Sequence, residues 1–534
     1  RSGLTDHAEL VVAGAPIRPR PGEAGVVEAI AVADGVVVDA GSLRDVESRL
    51  PPDAARLDVA GGVVLPGFCD THMHLEKIAA ELRMVQLGDA TSVGEVVEAV
   101  AEAVAAAEPD GWIQSFGDDN AWHEQRLRER RLPTRDELDA AAPSNPVFLY
   151  RGWDAAALNS RAIAVLGDRL AGDPGWDAVT GTLRSPLART LQEHIPSGGD
   201  ARALLGAASA QLLGHGITTV VDPGLPAAFG ETWQLYREAV ASGTVKQRLY
   251  LMDRLDHRRD FAAEIDRAGH RPEPHADERL NDWGLKLLLD GEFANAWMGD
   301  GHPQPEPPVK RYSSGELDTV LALCARDERP VCFHVMGGGA ARAVVDAVER
   351  AGGTAAFAPS QVTLAHGFLL SDRAIDDCAR LGIGVSVQPL LAYVFEREME
   401  RAWGDVAHEA NRYRRMIDRG MQVAGGSDVL PCEPLRGAAV AVTRTSRLGS
   451  RLGPEHALTP SEALSLFTDR AGAYVRRPLL GTLDVGAPAD FVHWPTDPLD
   501  RPAEEWPALR PALTAVAGAV VWDARQPATS PSPS

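Results

Sequence analysis

Residues 62–74 read Gly62-Val63-Val64-Leu65-Pro66-Gly67-Phe68-Cys69-Asp70-Thr71-His72-Met73-His74, an apolar run that ends in two histidines. If this run is a β-strand, residues two apart point to the same face, and so do both imidazoles. Two neutral imidazoles at the end of a rigid strand form half of a divalent-metal site. The alternative is a pair of surface histidines, and the rest of the sequence decides by supplying or lacking the other ligands.

The composition is that of a globular protein with room for more than one structural unit. The chain has 534 residues, of which 45% are hydrophobic and 24% are charged. Its formal charge of −22 argues against nucleic acid or an anionic membrane as the main partner, because both attract patches of Lys and Arg. No apolar run approaches the ~18–20 residues that span a bilayer.

The five cysteines favour a reducing, cytoplasmic location. They are scattered and odd in number, and no CxxC pair occurs, so neither a disulfide framework nor a cysteine zinc site is indicated. The first residues lack the pattern of a signal peptide. The chain starts at Arg1 and not at Met, which leaves open what was removed before it.

Both ends of the chain are predicted to be β-structure. Residues 8–65 contain short runs of β-branched residues bounded by Gly, Asp and Pro, and the region before residue 524 has the same texture. Each end is too small for its own core, so we expect residues 1–65 and 473–524 to pair into one small β-sandwich. The Pro- and Ser-rich tail, 525–534, is predicted to be disordered.

Between the two ends, residues 66–472 alternate apolar strands with amphipathic helices. Units of this kind predict parallel strands with right-handed crossovers, and the length fits a (β/α)8 TIM barrel with insertions. The fold class is therefore α/β, and residues 253–282 and 299–312 are predicted to be solvated loops. The predicted strands are Val147–Tyr150, Ile217–Val221, Leu285–Leu289, Val331–His334, Val362–His366, Val385–Val387 and Gln422–Gly425.

Ligand-type side chains recur at the ends of these strands, where the active sites of such barrels lie. His334 and His366 each end a strand, and Asp428 follows the stretch that ends Gly425-Gly426-Ser427. Lys286 lies within a strand that runs into Asp290-Gly291. Each residue alone is more simply structural, but five strands with this register favour a shared site with His72 and His74.

Several short motifs, spread over nearly the whole chain, point to a family. They are Leu65–Leu75, Gly111-Trp112-Ile113, Leu132–Asp139, Asn159-Ser160, Leu285-Lys286 with Asp290-Gly291, and Leu480–Phe491. On these motifs the chain resembles the metal-dependent amidohydrolases, specifically amidohydrolase family 3 and its N-substituted formamide deformylase-like branch.

The resemblance implies a metal site and a set of ligands. It assigns the metal to these residues: His72, His74, His334, His366 and Asp428. Lys286 matches a lysine similar to the carboxylated bridging lysine of the binuclear members, since a carbamate supplies two oxygens and a negative charge. A neutral or ion-paired structural lysine is the alternative. The cofactor implied is one or two Zn2+, with Mn2+ or Fe2+ as other candidates.

Asp428 is expected to be catalytic as well as a ligand. It would take a proton from the attacking water and pass it to the leaving nitrogen, first as a general base and then as a general acid. The alternative is a helix N-cap, because Asp is a favoured capping residue.

The chain departs from the family pattern beside the presumed ligands. Residues 334–340 lack the usual acidic and basic side chains, Val221 stands where many relatives have His, and Asp154 is the nearest polar replacement for another family His. We expect these changes to alter substrate recognition. Four tryptophans lie in segments that could reach the barrel mouth and favour an apolar or aromatic substrate group, with core packing as the alternative: Trp112, Trp122, Trp153 and Trp297.

The sequence thus predicts a hydrolase of a non-peptide C–N bond, in an N-substituted amide or formamide. One alternative is an aminohydrolase (deaminase) of a heterocyclic substrate, for which His74-Leu75-Glu76-Lys77 has a passing similarity. Another is a non-catalytic metal-binding relative. The expected partner is a small-molecule substrate, and a homodimer is left open.

Overall fold

The computed structural model describes residues 9–525, except for residues 24, 52, 89, 116–121, 123, 152–154, 193–194, 196–199, 225–230, 272, 274 and 300. Nearly all of the tail predicted to be disordered, 525–534, lies outside the described residues. Within the described ranges, no helix is both long enough and apolar enough to cross a membrane.

The described residues contain 21 strands. In chain order they are β1 Leu10–Ile17, β2 Val27–Ala33, β3 Val36–Gly41, β4 Ala55–Asp58, β5 Val63–Pro66, β6 Phe68–Asp70, β7 Ile113–Gln114, β8 Val147–Arg151, β9 Ala155–Leu158, β10 Trp176–Asp177, β11 Thr182–Arg184, β12 Ile217–Asp222, β13 Arg248–Arg254, β14 Leu280–Leu288, β15 Val331–Gly337, β16 Val362–Leu369, β17 Gly384–Val387, β18 Val423–Gly425, β19 Phe491–Trp494, β20 Leu513–Val516 and β21 Ala519–Asp523.

Helices connect most of these strands. The α-helices are α1 Leu43–Glu47, α2 Leu75–Glu81, α3 Val93–Ala106, α4 Arg135–Ala141, α5 Ser160–Leu170, α6 Leu187–Gln192, α7 Ala201–Leu213, α8 Glu231–Ala241, α9 Phe261–Gly269, α10 Ser314–Arg326, α11 Gly338–Arg350, α12 Asp372–Leu381, α13 Pro389–Val394, α14 Glu396–Trp403, α15 Tyr413–Asp418, α16 Pro434–Thr443, α17 Pro460–Ser465 and α18 Asp469–Tyr474. Short 3-10 helices are Glu124–Arg126, Gly353–Ala355, Gly404–Glu409, Pro454–His456, Pro498–Asp500 and Ala503–Ala508.

Eight parallel strands form the predicted barrel, in the order β18-β17-β16-β15-β14-β13-β12-β6. Its two ends meet where the Thr71 N–H donates to the Gly425 carbonyl at 3.1 Å and the Asp428 N–H donates to the His72 carbonyl at 2.7 Å. Strands β15 and β16 are buried along their whole length, as expected for apolar strands covered on both faces. The (β/α)8 prediction is confirmed, and β6 is the first barrel strand.

Helix α12 shows how local sequence sets the outer layer. Its buried residues, Ala374, Ile375, Cys378 and Leu381, recur at helical spacing and face the barrel. The Ser371 hydroxyl at the N-cap accepts from the Ala374 N–H, which satisfies one of the free donors of the first turn.

The two ends of the chain pair in one sheet, as predicted. Eight strands run in the order β21-β20-β19-β5-β1-β2-β3, with β4 on β1. Strand β19 lies antiparallel to β5, which places Phe491 opposite Pro66. Because β5 leads directly into β6, this sheet delivers the chain to the first barrel strand. The predicted boundaries at residues 65, 472 and 524 stay predictions.

The chain divides into two compact units, residues 1–75 with 209–534, and residues 76–208. The second unit has its own sheet, in the order β10-β11-β9-β8-β7, and its own apolar cores. The prediction that Val147–Tyr150 is a barrel strand is therefore wrong, because this run pairs with β7 and β9. A short apolar run suits the interior of any sheet, and its sequence does not specify its partners.

The prediction that residues 253–282 form a solvated loop is also wrong for part of this range. The range contains the end of β13, the helix α9 and the start of β14. The side chain of Asp260 caps α9 by accepting from the Ala263 N–H, while Glu264 and Ala268 are buried. The many charged residues of this range suggested a solvated loop, but several of them form ion pairs with one another, as Arg267 does with Asp253 and Glu264. Residues 301–312 lie outside helices and strands, as predicted.

Candidate metal centre

Three neighbouring barrel strands carry predicted ligands, although β15 and β16 do not end at His334 and His366 as predicted but continue to Gly337 and Leu369. Register places Lys286 and His334 on the same face of their strands, whereas His366 pairs with Val335, where the ladder becomes irregular and His366 has a positive φ. Lys286 of β14 lies opposite Cys332 of β15. His334 comes two residues after Cys332 and therefore points to the same side of the strand. Lys286 thus starts one layer deeper in the barrel than His334, and its long side chain extends toward the strand ends.

His72, His74 and Asp428 form a tight group where the barrel closes. The Nε2 atoms of His72 and His74 lie 3.7 and 3.6 Å from the same Asp428 oxygen, Oδ1. A bridge between Met73 and Asp428 holds the two chain segments in register. His72 is buried, whereas the side chains of His74 and Asp428 are 17% and 18% exposed, so this group faces the barrel mouth.

The two remaining histidines lie beside this group. The ring centroids of His72 and His366 are 5.2 Å apart, and those of His366 and His334 are 4.6 Å apart. The structure therefore brings together all four predicted histidines and Asp428.

Hydrogen bonds fix which ring nitrogen of His366 and His334 remains available. The Gln388 amide donates to the Ser386 carbonyl at 3.0 Å, which turns its oxygen toward His366. His366 Nδ1–H donates to that oxygen at 2.8 Å, so its Nε2 carries the free lone pair. His334 Nε2–H donates to the Gly291 carbonyl at 3.1 Å, which leaves Nδ1 free. Such partners orient metal-binding imidazoles.

Lys286 is the remaining predicted ligand, and it lies deeper in the barrel than His334. It is 1% exposed, and its Nζ donates to the Cys332 sulfur at 3.6 Å. Burial lowers the pKa of Lys286 despite the nearby negative charge of Asp428. The charge of Lys286 in turn helps to lower the pKa of His72, His334 and His366.

Burial is the main influence on the imidazoles. It lowers the pKa of His72 and His366 well below the ordinary value and brings that of His334 to about 3. These rings are therefore neutral at pH 7. A neutral imidazole has the lone pair that a metal needs, whereas an imidazolium does not.

Two of the predicted ligands have an uncommon backbone conformation. His366 has φ of 77° and Asp428 has φ of 63°, in the left-handed region that non-glycine residues seldom occupy. Strained backbone of this kind collects at functional sites. Gly426 allows a close approach nearby, since a Cβ there would lie 2.6 Å from the His72 backbone nitrogen.

Two buried carboxyls organise the backbone around the site. Asp70 Oδ1 accepts from the N–H groups of His72 and Ser427, at 3.1 and 3.0 Å. Asp290 accepts from the N–H groups of Met336 and Gly337. Burial raises the pKa of both carboxyls to about 7. Asp70 thus joins the segment of His72 to the segment of Asp428. Asp290 joins the residues after β14 to the end of β15, which carries His334.

Trp297 is the predicted substrate residue that the structure places beside the strand ends. The backbone N–H of Trp297 donates to Asp290 Oδ2 at 3.1 Å. The half-buried ring of Trp297 has its centroid 4.0 Å from the Lys310 ammonium. The ring occupies space that a side chain would fill at residue 339, where Gly339 stands. This placement is compatible with the predicted role.

Trp122 is buried in an apolar core of the second unit, as the core-packing alternative expects. The other three predicted substrate residues are Trp112, Trp153 and Asp154. Trp112 belongs to the second unit and packs against an apolar core of that unit. Trp153 and Asp154 lie outside the described residues. Their assignment to substrate binding stays a prediction.

Sequence reasoning missed Gln388 and gave no role to Asp70. Both were detectable by the rule that found the histidines, because Gln388 directly follows β17 and Asp70 ends β6. The Gln388 amide is an uncommon metal ligand, and the Asp70 carboxylate is bonded to backbone N–H groups, so both act on their neighbours through hydrogen bonds. Residues that orient ligands carry a weaker signal than the ligands themselves.

The arrangement fits a divalent cation. Two ligands bound to one tetrahedral zinc at 2.0–2.2 Å stand about 3.4 Å apart. The separations of 3.6 and 3.7 Å from Asp428 Oδ1 are close to this value and too long for a hydrogen bond. Neutral imidazoles with a carboxylate are donors that suit zinc.

Known proteins share this architecture. A model described as "Amidohydrolase family" matches residues 56–522. An N-substituted formamide deformylase of Arthrobacter pascens is 27% identical over 97% of this chain and 99% of its own length. A putative amidohydrolase of Bacillus subtilis is 24% identical, over 93% of this chain and 96% of its own. The solved structure of an uncharacterized metal-dependent hydrolase from Pyrococcus furiosus has a TM-score of 0.72 at 22% identity, covering 92% of this chain and 99% of that one.

Proposed function

The chain belongs to the amidohydrolase family, and from that premise we propose that it hydrolyses a non-peptide C–N bond in an N-substituted amide or formamide. The observation that carries the proposal is the convergence of His72 and His74 on one oxygen of Asp428, beside His334, His366 and Lys286. The name of the Arthrobacter relative supports the substrate class.

The chain's residues would hold the cation at two adjacent positions. His72, His74 and Asp428 would bind one zinc, and His334 and His366 a second, through His334 Nδ1 and His366 Nε2. When bound, zinc makes a water acidic enough to act as a nucleophile near neutral pH and polarises a substrate carbonyl.

Asp428 would move the proton in this reaction. Its carboxylate takes a proton from the attacking water and returns it to the leaving nitrogen, so that the amide and one water become a carboxylic acid and an amine. The helix N-cap alternative is not supported, because no helix begins directly after Asp428 among the described residues. Its partial exposure lets the carboxylate face substrate.

Lys286 would bridge the two positions as a carbamate. Its amine is buried and has a lowered pKa, and the uncharged amine is the form that adds CO2. The product has two oxygens and one negative charge, which would offset part of the charge of two cations.

Trp297 would contact an apolar or aromatic group of the substrate. The bond from its backbone N–H to Asp290 fixes the residue, and Gly339 leaves room for its ring, since a Cβ there would clash with it. An aromatic wall of this kind binds apolar groups without requiring a specific polar partner.

The test is a substrate screen with product identification. Purified chain is stripped with a chelator, reloaded with Zn2+ or Mn2+, and assayed on N-formyl, N-acyl and cyclic-amide compounds for amine and carboxylate products. We expect amine and carboxylate in equal amounts, loss of turnover in the stripped protein and recovery on reloading.

Two outcomes would overturn the proposal. Ammonia release from a cyclic amidine, without turnover of any amide, would identify a heterocycle aminohydrolase. Tight metal binding without turnover of either class would identify a non-catalytic relative.

A further inference from the structure

A second group of ligand-type side chains lies where two short 3-10 helices meet. Glu409 ends the helix Gly404–Glu409, and Glu455 and His456 belong to the helix Pro454–His456. One ligand atom from each of these three residues lies within 4.8 Å of the other two. Nothing in the proposed reaction uses this group.

His456 is the buried member of the group. Its side chain is 8% exposed, and its Nε2 lies 3.5 Å from Glu409 Oε2 and 3.7 Å from Glu455 Oε1. Within the described part of the chain, this nitrogen has no hydrogen-bond partner. The two glutamates are 46% and 60% exposed, so the group is open to solvent on their side.

The Nε2 atom of His456 faces one carboxylate oxygen of each glutamate, at 3.5 and 3.7 Å. When the ring carries its proton on Nδ1, the lone pair of Nε2 is directed at these two oxygens. Three electron-rich atoms then face each other, and a cation between them relieves the repulsion.

The separations match those of ligands around one ion. Ligands of a tetrahedral zinc stand about 3.4 Å apart, and His456 Nε2 is 3.5 and 3.7 Å from the two carboxylate oxygens. We propose that Glu409, Glu455 and His456 bind a divalent zinc ion at a site separate from the strand-end ligands, with water completing the coordination.

The backbone around the group is already fixed. Arg444, which is 1% exposed, donates to the Leu452 carbonyl at 2.6 Å and to the Ala410 carbonyl at 2.7 Å, so it joins the two segments. Gly453 allows them to approach, since a Cβ there would lie 2.3 Å from the His408 carbonyl oxygen. The protein therefore presents the three ligands on rigid backbone before any ion binds.

Two guanidinium groups already lie near the group, those of Arg412 and Arg444. Arg412 Nε is 3.4 Å from Glu409 Oε2, but the same guanidinium also pairs with Asp372 at 2.8 Å. Because Arg412 is shared with Asp372, the two guanidiniums offset much, but not all, of the charge of the two glutamates.

Zinc at this position would stabilise one wall of the barrel mouth. Just after Glu409, the Asn411 N–H donates to the Phe368 carbonyl at 2.9 Å, two residues beyond His366. Pinning the segment 404–411 to 453–456 thus acts close to a strand that carries a proposed catalytic ligand.

The test counts zinc in the full chain and two variants. Wild type, His456→Gln and His408→Gln are stripped with a chelator, dialysed against micromolar zinc chloride, desalted and measured by mass spectrometry for zinc per chain. His408 is the matched control, since it is an exposed histidine next to Glu409. We expect His456→Gln to carry one zinc fewer than wild type, and His408→Gln to carry the same number.

Equal zinc counts in wild type and in folded His456→Gln would overturn the proposal. If His456→Gln does not fold, Glu455→Gln replaces it, because that side chain is mostly exposed. Titration calorimetry with zinc chloride should then show at least one class of zinc bound ten-fold more weakly than in wild type, and an unchanged isotherm would contradict the site.

Discussion

The barrel mouth and the second unit each contain a buried group of polar side chains, but the two groups are bonded differently. In the second unit, Asn159 Oδ1 accepts from the N–H groups of Val147 and Ala162, at 2.9 and 3.0 Å. Its Nδ2 donates to the carbonyls of Ala142 and Asn145, at 3.1 and 2.9 Å. All four hydrogen bonds of the Asn159 side chain therefore go to backbone groups and hold segments of the second unit together.

At the barrel mouth, two imidazoles converge on one carboxylate oxygen. His72 and His74 approach the same oxygen of Asp428 at separations too long for a hydrogen bond. The difference teaches that Asn159-Ser160, a motif of the family resemblance, is structural here, whereas the strand-end motif is arranged for a ligand. Substitutions in the two regions should therefore change different properties.

The largest expected effect is on turnover, from Asp428→Asn. We expect kcat to fall by about 10²–10⁴-fold, because the amide keeps an oxygen ligand but cannot accept the proton. Zinc content, measured by mass spectrometry, should stay at the wild-type value. Asp139→Asn is the matched control: Asp139 accepts from the Ser160 N–H at 2.8 Å in the second unit, and its variant should retain kcat. Equal losses of kcat in both variants would contradict the comparison.

The next largest effect is on stability, from Asn159→Ala. Removing one side chain leaves two buried N–H groups and two buried carbonyls without a partner, which should cost about 3–5 kcal/mol of unfolding free energy. Urea unfolding measures this loss, and kcat per folded chain should not change. A variant with wild-type stability and reduced kcat would show that Asn159 takes part in the reaction.

A smaller effect is expected from Gln388→Ala. Without the bond to Nδ1, His366 can take the other tautomer or rotate, so zinc affinity should fall by about 10–100-fold. Calorimetry measures the affinity. Gln422→Ala is the control, because Gln422 lies at the opposite end of a barrel strand and donates to the Arg470 carbonyl. Unchanged zinc affinity in Gln388→Ala would show that Gln388 does not position His366.

The smallest effect is expected from Glu137→Gln in the second unit. Ion-paired hydrogen bonds from Arg131, joined by bonds from Thr134, lower the pKa of Glu137 to about 2. The charge therefore stabilises the fold above the unfolded-state pKa, near 4.5, and this contribution is lost as pH falls toward 2. Because the side chain is 35% exposed, we expect under about 1 kcal/mol.

Unfolding of wild type and Glu137→Gln should be compared at several pH values. The difference should stay constant from pH 8 to about pH 5 and shrink below about pH 4.5. A difference that grows on acidification would contradict the pKa assignment.

The sequence predicted the barrel because apolar strands and amphipathic helices alternate with strong periodicity. The same pattern located His334 in β15 and His366 in β16, but each strand continues three residues beyond the predicted end, to Gly337 and Leu369. The apolar run indicates the strand and does not mark where its hydrogen bonding stops. The pattern failed for Val147–Tyr150, because strand propensity does not say which sheet a strand joins. It failed for α9 because that helix is held by charged side chains that pair with each other.

The candidate site was predicted only in its ligand-type residues. Gln388 and Asp70 act through hydrogen bonds to neighbouring groups, and such roles depend on distances that a linear sequence does not contain. Lys286 was singled out by its strand, which runs into Asp290-Gly291, and by the family resemblance, and the structure places it 1% exposed. The substrate residues were the weakest prediction, since tryptophan serves equally well in a core, as Trp112 does.

The most direct test of the central claim is an anomalous difference map, measured at the zinc absorption edge, from crystals of the full chain grown with zinc. The account predicts an anomalous peak between the Nε2 atoms of His72 and His74 and Oδ1 of Asp428, and ordinary electron density that extends beyond the amine of Lys286. A map without a peak among these atoms, from protein saturated with zinc, would contradict it.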